Sequence, residues 1–124
     1  MKRPAPKESD IQRAILAVFA MRKDVVAWRQ NTGGMTKEYK GRRHFVRFGV
    51  PGAADITGVI LPWGTRLEVE VKRPGGRLSA AQRAFGDLMT QSGSVYFVAH
   101  SAEEALEKLD AEIGRLGKKP GDML

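Results

Sequence analysis

The run Arg66-Leu67-Glu68-Val69-Glu70-Val71-Lys72 alternates strictly between charged and apolar side chains. A period of two belongs to a β-strand, because successive side chains leave its two faces in turn. Leu67, Val69 and Val71 therefore share one face, and Glu68, Glu70 and Lys72 the other. Breakers bound the run, with Pro62-Trp63-Gly64 before it and Pro74-Gly75-Gly76 after it. Upstream, Asp55–Leu61 is a second strand, so the turn at 62–64 makes an antiparallel hairpin. Downstream, Ala81, Phe85, Leu88 and Met89 recur at helical spacing within Ser79–Gln91, and Ser92-Gly93 stops that helix. Ser94–Ala99 is an apolar strand. Strand, helix, strand in that order makes two parallel strands with a right-handed crossover.

The remaining elements follow the same logic. Ile11, Ile15, Val18 and Phe19 predict a helix that begins near Glu8. Val25–Gln30 gathers β-branched and aromatic residues and reads as a strand. Asn31–Arg43, rich in Gly, Lys and Arg, reads as a mobile loop or irregular hairpin. His44–Phe48 is a short extended piece, and Gly49-Val50-Pro51-Gly52 a turn. Ser101-x-x-Glu104 is a capping-box signal that opens a last helix with Leu106, Leu109, Ile113 and Leu116 inward. The order is α-β-β-β-β-α-β-α. It predicts an α/β domain over residues 8–116 with a mixed sheet and a helix on each face. Residues 1–7 and 117–124 read as flexible ends.

Composition narrows the chemistry. A chain of 124 residues suits one domain. It has no cysteine, which removes disulfides, thiolate zinc sites and cysteine nucleophiles. No apolar run is long enough for a membrane span, and the basic, proline-containing start lacks the apolar core of a signal peptide. A cytoplasmic protein is expected. The formal charge is +7, yet Glu103–Glu112 carries −4, leaving +11 on the rest. A basic body suggests a polyanionic partner, although a soluble basic protein with no such partner has the same charge.

The hairpin gives this charge a chemical focus. Glu70 and Lys72 lie on one face with about 6–7 Å between their Cα atoms. Asp55 begins the partner strand, and pairing about the 62–64 turn brings it opposite residue 70 or 71. Two carboxylates and an ammonium then meet at one hairpin end. Carboxylates in contact repel unless a cation sits between them. Mg²⁺ commonly takes one or two carboxylates and completes its shell with water and phosphate oxygens. The Val71 carbonyl is a natural further ligand. A surface ion pair between Lys72 and one acid remains the alternative.

The ordered pieces Gly49-Val50-Pro51-Gly52-Ala53-Ala54-Asp55-Ile56, Glu70-Val71-Lys72-Arg73 and Gly76-Arg77-Leu78-Ser79-Ala80-Ala81-Gln82 resemble the VRR-NUC domain. That domain is a branch of the PD-(D/E)xK, or restriction-endonuclease-like, nuclease superfamily. Glu8-Ser9-Asp10-Ile11-Gln12 and Asn31-Thr32-Gly33-Gly34 match its opening, so the resemblance spans about residues 8–104. Ala54 stands where the superfamily name implies proline. The resemblance implies metal-dependent cleavage of DNA phosphodiester bonds, with Asp55 and Glu70 as Mg²⁺ or Mn²⁺ ligands. It implies that Lys72 orients or activates the attacking water, that Gln82 supports the site from the following helix and that Glu8 approaches from the first. Small stand-alone relatives act as homodimers on branched DNA, including four-way junctions.

Each supporting residue also has a plainer reading. Glu8 is an acid in a first helical turn, favoured there by the helix dipole. Gln82, three after Ser79, completes a capping box, and both roles are compatible. Arg73 and Arg77 border a helix start and suit phosphate binding, or a solvated loop. Lys37, Lys40, Arg42 and Arg43, with Tyr39 among them, suit a grip on DNA, or a solvated basic face. His44 and His100 lack metal-ligand spacing, and His100 reads as structural. The rival to a nuclease is a non-catalytic basic module that holds nucleic acid and recruits a partner. A restriction-like enzyme reading a short sequence would need recognition elements that a chain of this length does not show.

Overall fold

A computed structural model of the protein describes residues 5–30, 34–47 and 49–118. The first helix, α1 (Glu8–Ala20), buries Ile11, Ile15 and Phe19 at a spacing of four. Its Lys7 N-cap offers no side-chain bond, but Glu8 and Asp10 in the first turn complement the positive end of the helix dipole. Strand β1 (Val25–Arg29) follows.

The next segment departs from expectation. Residues predicted as a loop or irregular hairpin form a regular one, β2 (Gly34–Tyr39) and β3 (Arg42–Arg47), paired from Gly34↔Arg47 to Tyr39↔Arg42. The two turn residues, Lys40 and Gly41, have φ of 52° and 74°. Such a turn matches the natural twist of paired strands. A lysine rarely takes its first position, so Lys-Gly gave no clear signal. The predicted order is thus recovered with one added strand.

Strands β4 (Ile56–Ile60), β5 (Thr65–Val71) and β6 (Val95–Ala99) complete a four-stranded mixed sheet in the order β1-β4-β5-β6. The first two pairings are antiparallel and β5–β6 is parallel, as the strand-helix-strand pattern requires. The β2–β3 hairpin is a separate sheet.

Helix α2 (Ala80–Gln91) makes the crossover, and α3 (Ala102–Gly117) ends the described chain. One sheet face carries the main core: Ile56, Ile60, Leu67, Val69, Val71, Val95 and Phe97 against Ile11, Ile15 and Phe19 of α1 and Leu109 of α3. The other face is only partly covered. There α2 sets Phe85 against Ala53, Ala54 and Tyr96, with Phe85 and Tyr96 meeting edge to face at 6.3 Å. At the α3 start, the Ser101 hydroxyl accepts the Glu104 amide at 3.1 Å, half of the predicted capping box. The Glu104 carboxylate turns instead to Lys108, at 2.9 Å, and to His100, at 3.1 Å. Among the described residues no helix is long and apolar enough to cross a membrane. Residues 1–4 and 119–124, within the predicted flexible ends, 31–33, and Phe48 of the predicted extended piece lie outside the described residues.

Candidate active site

The register Ile56↔Val69 brings the residue before β4, Asp55, beside Glu70 near the end of β5. Asp55 Oδ2 accepts the Val71 amide at 2.9 Å, which fixes the carboxylate against the strand that carries Glu70. The expected juxtaposition is therefore present. It differs from a surface ion pair in its burial, since Glu70 is only 2% exposed. Lys72 lies alongside, with Nζ 4.0 Å from Glu70 Oε1.

Gln82 joins the cluster from α2. Its Oε1 accepts the Ser79 amide at 2.8 Å, and the Ser79 hydroxyl accepts the Gln82 amide at 3.2 Å, a full capping box. With its oxygen so engaged, Nε2 points at the strand and donates to Glu70 Oε1 at 2.9 Å. The cap and the bond to Glu70 are both present. Gly52 makes this approach possible. It has φ +77°, and a Cβ there would run into the Ala81 backbone. Only glycine lets the 49–52 turn lie so close to the start of α2.

Glu8 reaches the same end of the sheet. Its Oε2 is 3.4 Å from the Arg73 amide, and its charge is felt at both Asp55 and Glu70. Arg73 and Arg77 are exposed on the connection from β5 to α2. Lys40, Arg42 and Arg43 are exposed on the separate hairpin sheet, not on the sheet that carries the carboxylates. Lys37 lies in β2 opposite His44, and its side chain is outside what the structure describes.

Two neighbours were missed in the sequence. Glu68, one pleat from Glu70, is 1% exposed and accepts from the Thr57 hydroxyl at 2.8 Å and from Arg66 Nε at 2.6 Å. Tyr96, paired across β6 with Glu68, has a buried hydroxyl with no partner among the described residues. Alternation along β5 and β6 assigns both to the acid face, but a strand's own pattern does not say whether a helix covers that face.

Electrostatics follow from burial. Burial first, then the Asp55 charge and a hydrogen bond shared with Asp55, push the Glu70 carboxyl up to about 8. Burial raises Asp55 as well, against the opposing pull of the Val71 amide. Burial and the charge of Glu70 lift the Tyr96 phenol to about 12. The pair thus holds a proton in the absence of a cation. Glu70 Oε2 is buried without a hydrogen-bond partner among the described residues. An unpartnered buried oxygen beside a second carboxylate fits a hard divalent ion, which takes few protein oxygens and fills its shell with water. Among the described residues no group of three or more acidic or histidine side chains is placed to hold a metal ion, so the two carboxylates stand without a third side-chain ligand. Compared with known protein families and with curated proteins, the chain matches none.

Proposed function

We propose that this chain is a metal-dependent endonuclease that hydrolyses phosphodiester bonds in DNA, with a restriction-endonuclease-like fold of the VRR-NUC branch. The observation that carries the reading is Glu70 Oε2: a buried acceptor with no donor among the described residues, beside a second carboxylate and a lysine. Without a cation, only a proton shared with Asp55 is at hand to satisfy it.

Asp55, Glu70 and the Val71 carbonyl would hold a Mg²⁺ or Mn²⁺ ion, which when bound polarises a phosphate oxygen and lowers the pKa of water. Lys72 is a point charge that favours the hydroxide and the charge growing on the phosphate. Gln82 keeps Glu70 in one orientation, and Glu8 adds a third acid at the edge of the site. Arg73, Arg77 and the start of α2 bind a flanking phosphate, while Lys40, Arg42 and Arg43 hold an arm of the substrate through its backbone. The substrate is branched DNA, and a homodimer would present two sites to the two-fold symmetry of a four-way junction. The setting is cytoplasmic.

The test is cleavage of labelled four-way junction, flap and linear duplex with Mg²⁺, Mn²⁺ or EDTA. Metal-dependent cutting of the junction in paired strands, lost in Glu70→Ala with DNA affinity retained, is expected. Binding without cutting under every metal would make the chain a basic module that recruits a partner.

A further inference from the structure

The sheet face that bears Glu70 is covered by α2 only on the β6 side. Over β1 and β4 it opens into a cavity of about 260 Å³ walled by Trp28, Gln30, Thr57, Val59 and Arg66. Register fixes where this cavity lies. Trp28 pairs with Thr57, and Thr57 with Glu68, so these three form one row across the sheet. Asp55 and Glu70 form the next row, about 6–7 Å along the strands. Gln30 belongs to that second row, opposite Asp55, whose carbonyl accepts its backbone amide at 2.7 Å.

The wall chemistry is specific. Trp28 is 50% exposed, an uncommon state for so large an aromatic surface. Arg66 is held at Nε by buried Glu68, which fixes the plane of its guanidinium. Gln30 supplies a side-chain amide that both donates and accepts. The volume is below the roughly 300 Å³ at which pockets for drug-sized ligands begin, a size for one planar ring system. A second copy of the chain suits this face poorly. Arg66, exposed on this face, would meet its own like charge across a two-fold axis. A polyanionic strand complements it.

We propose that this cavity receives one unstacked nucleobase of the bound DNA strand, with Trp28 stacking on the ring and Gln30 and Arg66 bonding its edge. The proposal rests on the phosphodiesterase reading of the adjacent carboxylates, because it takes the strand crossing them to be the one that enters the cavity. It supplies a physical basis for preferring branched DNA. A base beside the scissile phosphate must leave the stack, which costs least at a branch, flap or single strand.

The experiment measures binding by fluorescence anisotropy in EDTA, so that no cutting is needed. Full-length protein, Trp28→Ala and Trp28→Phe are titrated with four-way junctions in which a single abasic site is walked across the branch point. The expected result is a weakening of about tenfold for Trp28→Ala, with most affinity retained in Trp28→Phe. One abasic position should weaken the wild type by a similar factor and the Trp28→Ala protein hardly at all. Additive losses at every abasic position would overturn the proposal. So would a Trp28→Ala protein that binds as tightly as the wild type, or one that merely falls from dimer to monomer in light scattering. Non-additivity in a protein that cuts under no metal would keep the base cavity and discard the nuclease. Cutting without non-additivity would do the reverse.

Discussion

Gln82 donates to Glu70 Oε1 at 2.9 Å with the same amide group whose oxygen holds the Ser79 N–H at 2.8 Å. One side chain thus ties the start of α2 to the candidate catalytic strand. Gln82→Ala should lower stability by about 1 kcal/mol through the lost cap. Cleavage should fall by more than this loss explains, because Glu70 loses its orienting donor. Gln82→Glu should keep the cap and still lose the donor. Urea unfolding beside cleavage kinetics separates the two effects.

The metal-free protein should be most stable in mild acid. Glu70 has its folded-state pKa raised, to about 8 from an ordinary 4.5. Between those values the folded state holds a proton that the unfolded chain has released. Stability from this group is therefore full below about 4.5, declines as pH rises through 8, and is flat beyond. Asp55 shifts in the same direction. Thermal melts in EDTA from pH 5 to 9 should show the decline, and Glu70→Gln should flatten most of it. At pH 8, Mn²⁺ at a hundred times its Kd should restore about 2.7 kcal/mol by binding only the folded state.

Gly52→Ala should cost about 3 kcal/mol. It forces a left-handed φ on a residue with a Cβ and drives that Cβ into the Ala81 backbone. Chemical denaturation reads the stability, and reduced cleavage per folded molecule would report the displaced turn. A Gly52→Ala protein of wild-type stability would contradict the close approach.

Thr57→Val removes a hydroxyl that Glu68 accepts at 2.8 Å in a buried setting. The loss should be about 1 kcal/mol, since the same Glu68 oxygen keeps its bond from Arg66. A double-mutant cycle with Glu68→Gln measures it, and a coupling near zero would remove the bond from the account.

Arg42 and Arg43 are exposed beside the hairpin turn. If they contact phosphates, replacing both by alanine should reduce the slope of log affinity against log salt by about 1.8. The effect should be the same for every DNA sequence, and cleavage at saturating substrate should be retained. Binding titrations at several salt concentrations test it.

Much of this architecture was legible because it is periodic. The alternation of Arg66–Lys72 fixed β5, its two faces and, with the turn at 62–64, the meeting of Asp55 with Glu70. The Ser79-x-x-Gln82 spacing marked the helix start that delivers Gln82. What was not legible depends on distant coverage. Whether Glu68 is a solvated strand residue or a buried carboxylate is decided by Thr57, Arg66 and the neighbouring layers. The β2–β3 hairpin was legible only as a mobile loop or irregular hairpin, because its turn places a lysine where Asn or Gly usually signals a regular one. The open wall around Trp28 arises because α2 covers one half of a sheet face, which no local pattern records.

The hairpin that joins Asp55 to Glu70 also sets how easily the site can assemble. Only fourteen residues separate the two acids, so bringing them together closes a short loop at small entropic cost. Glu8 must come from the far end of the chain, and Gln82 from beyond the crossover. The acid pair is therefore the local seed of the site, and the long-range partners refine it. Insertions in the connections outside residues 55–70 would lengthen the approach of those partners while leaving the pair in register.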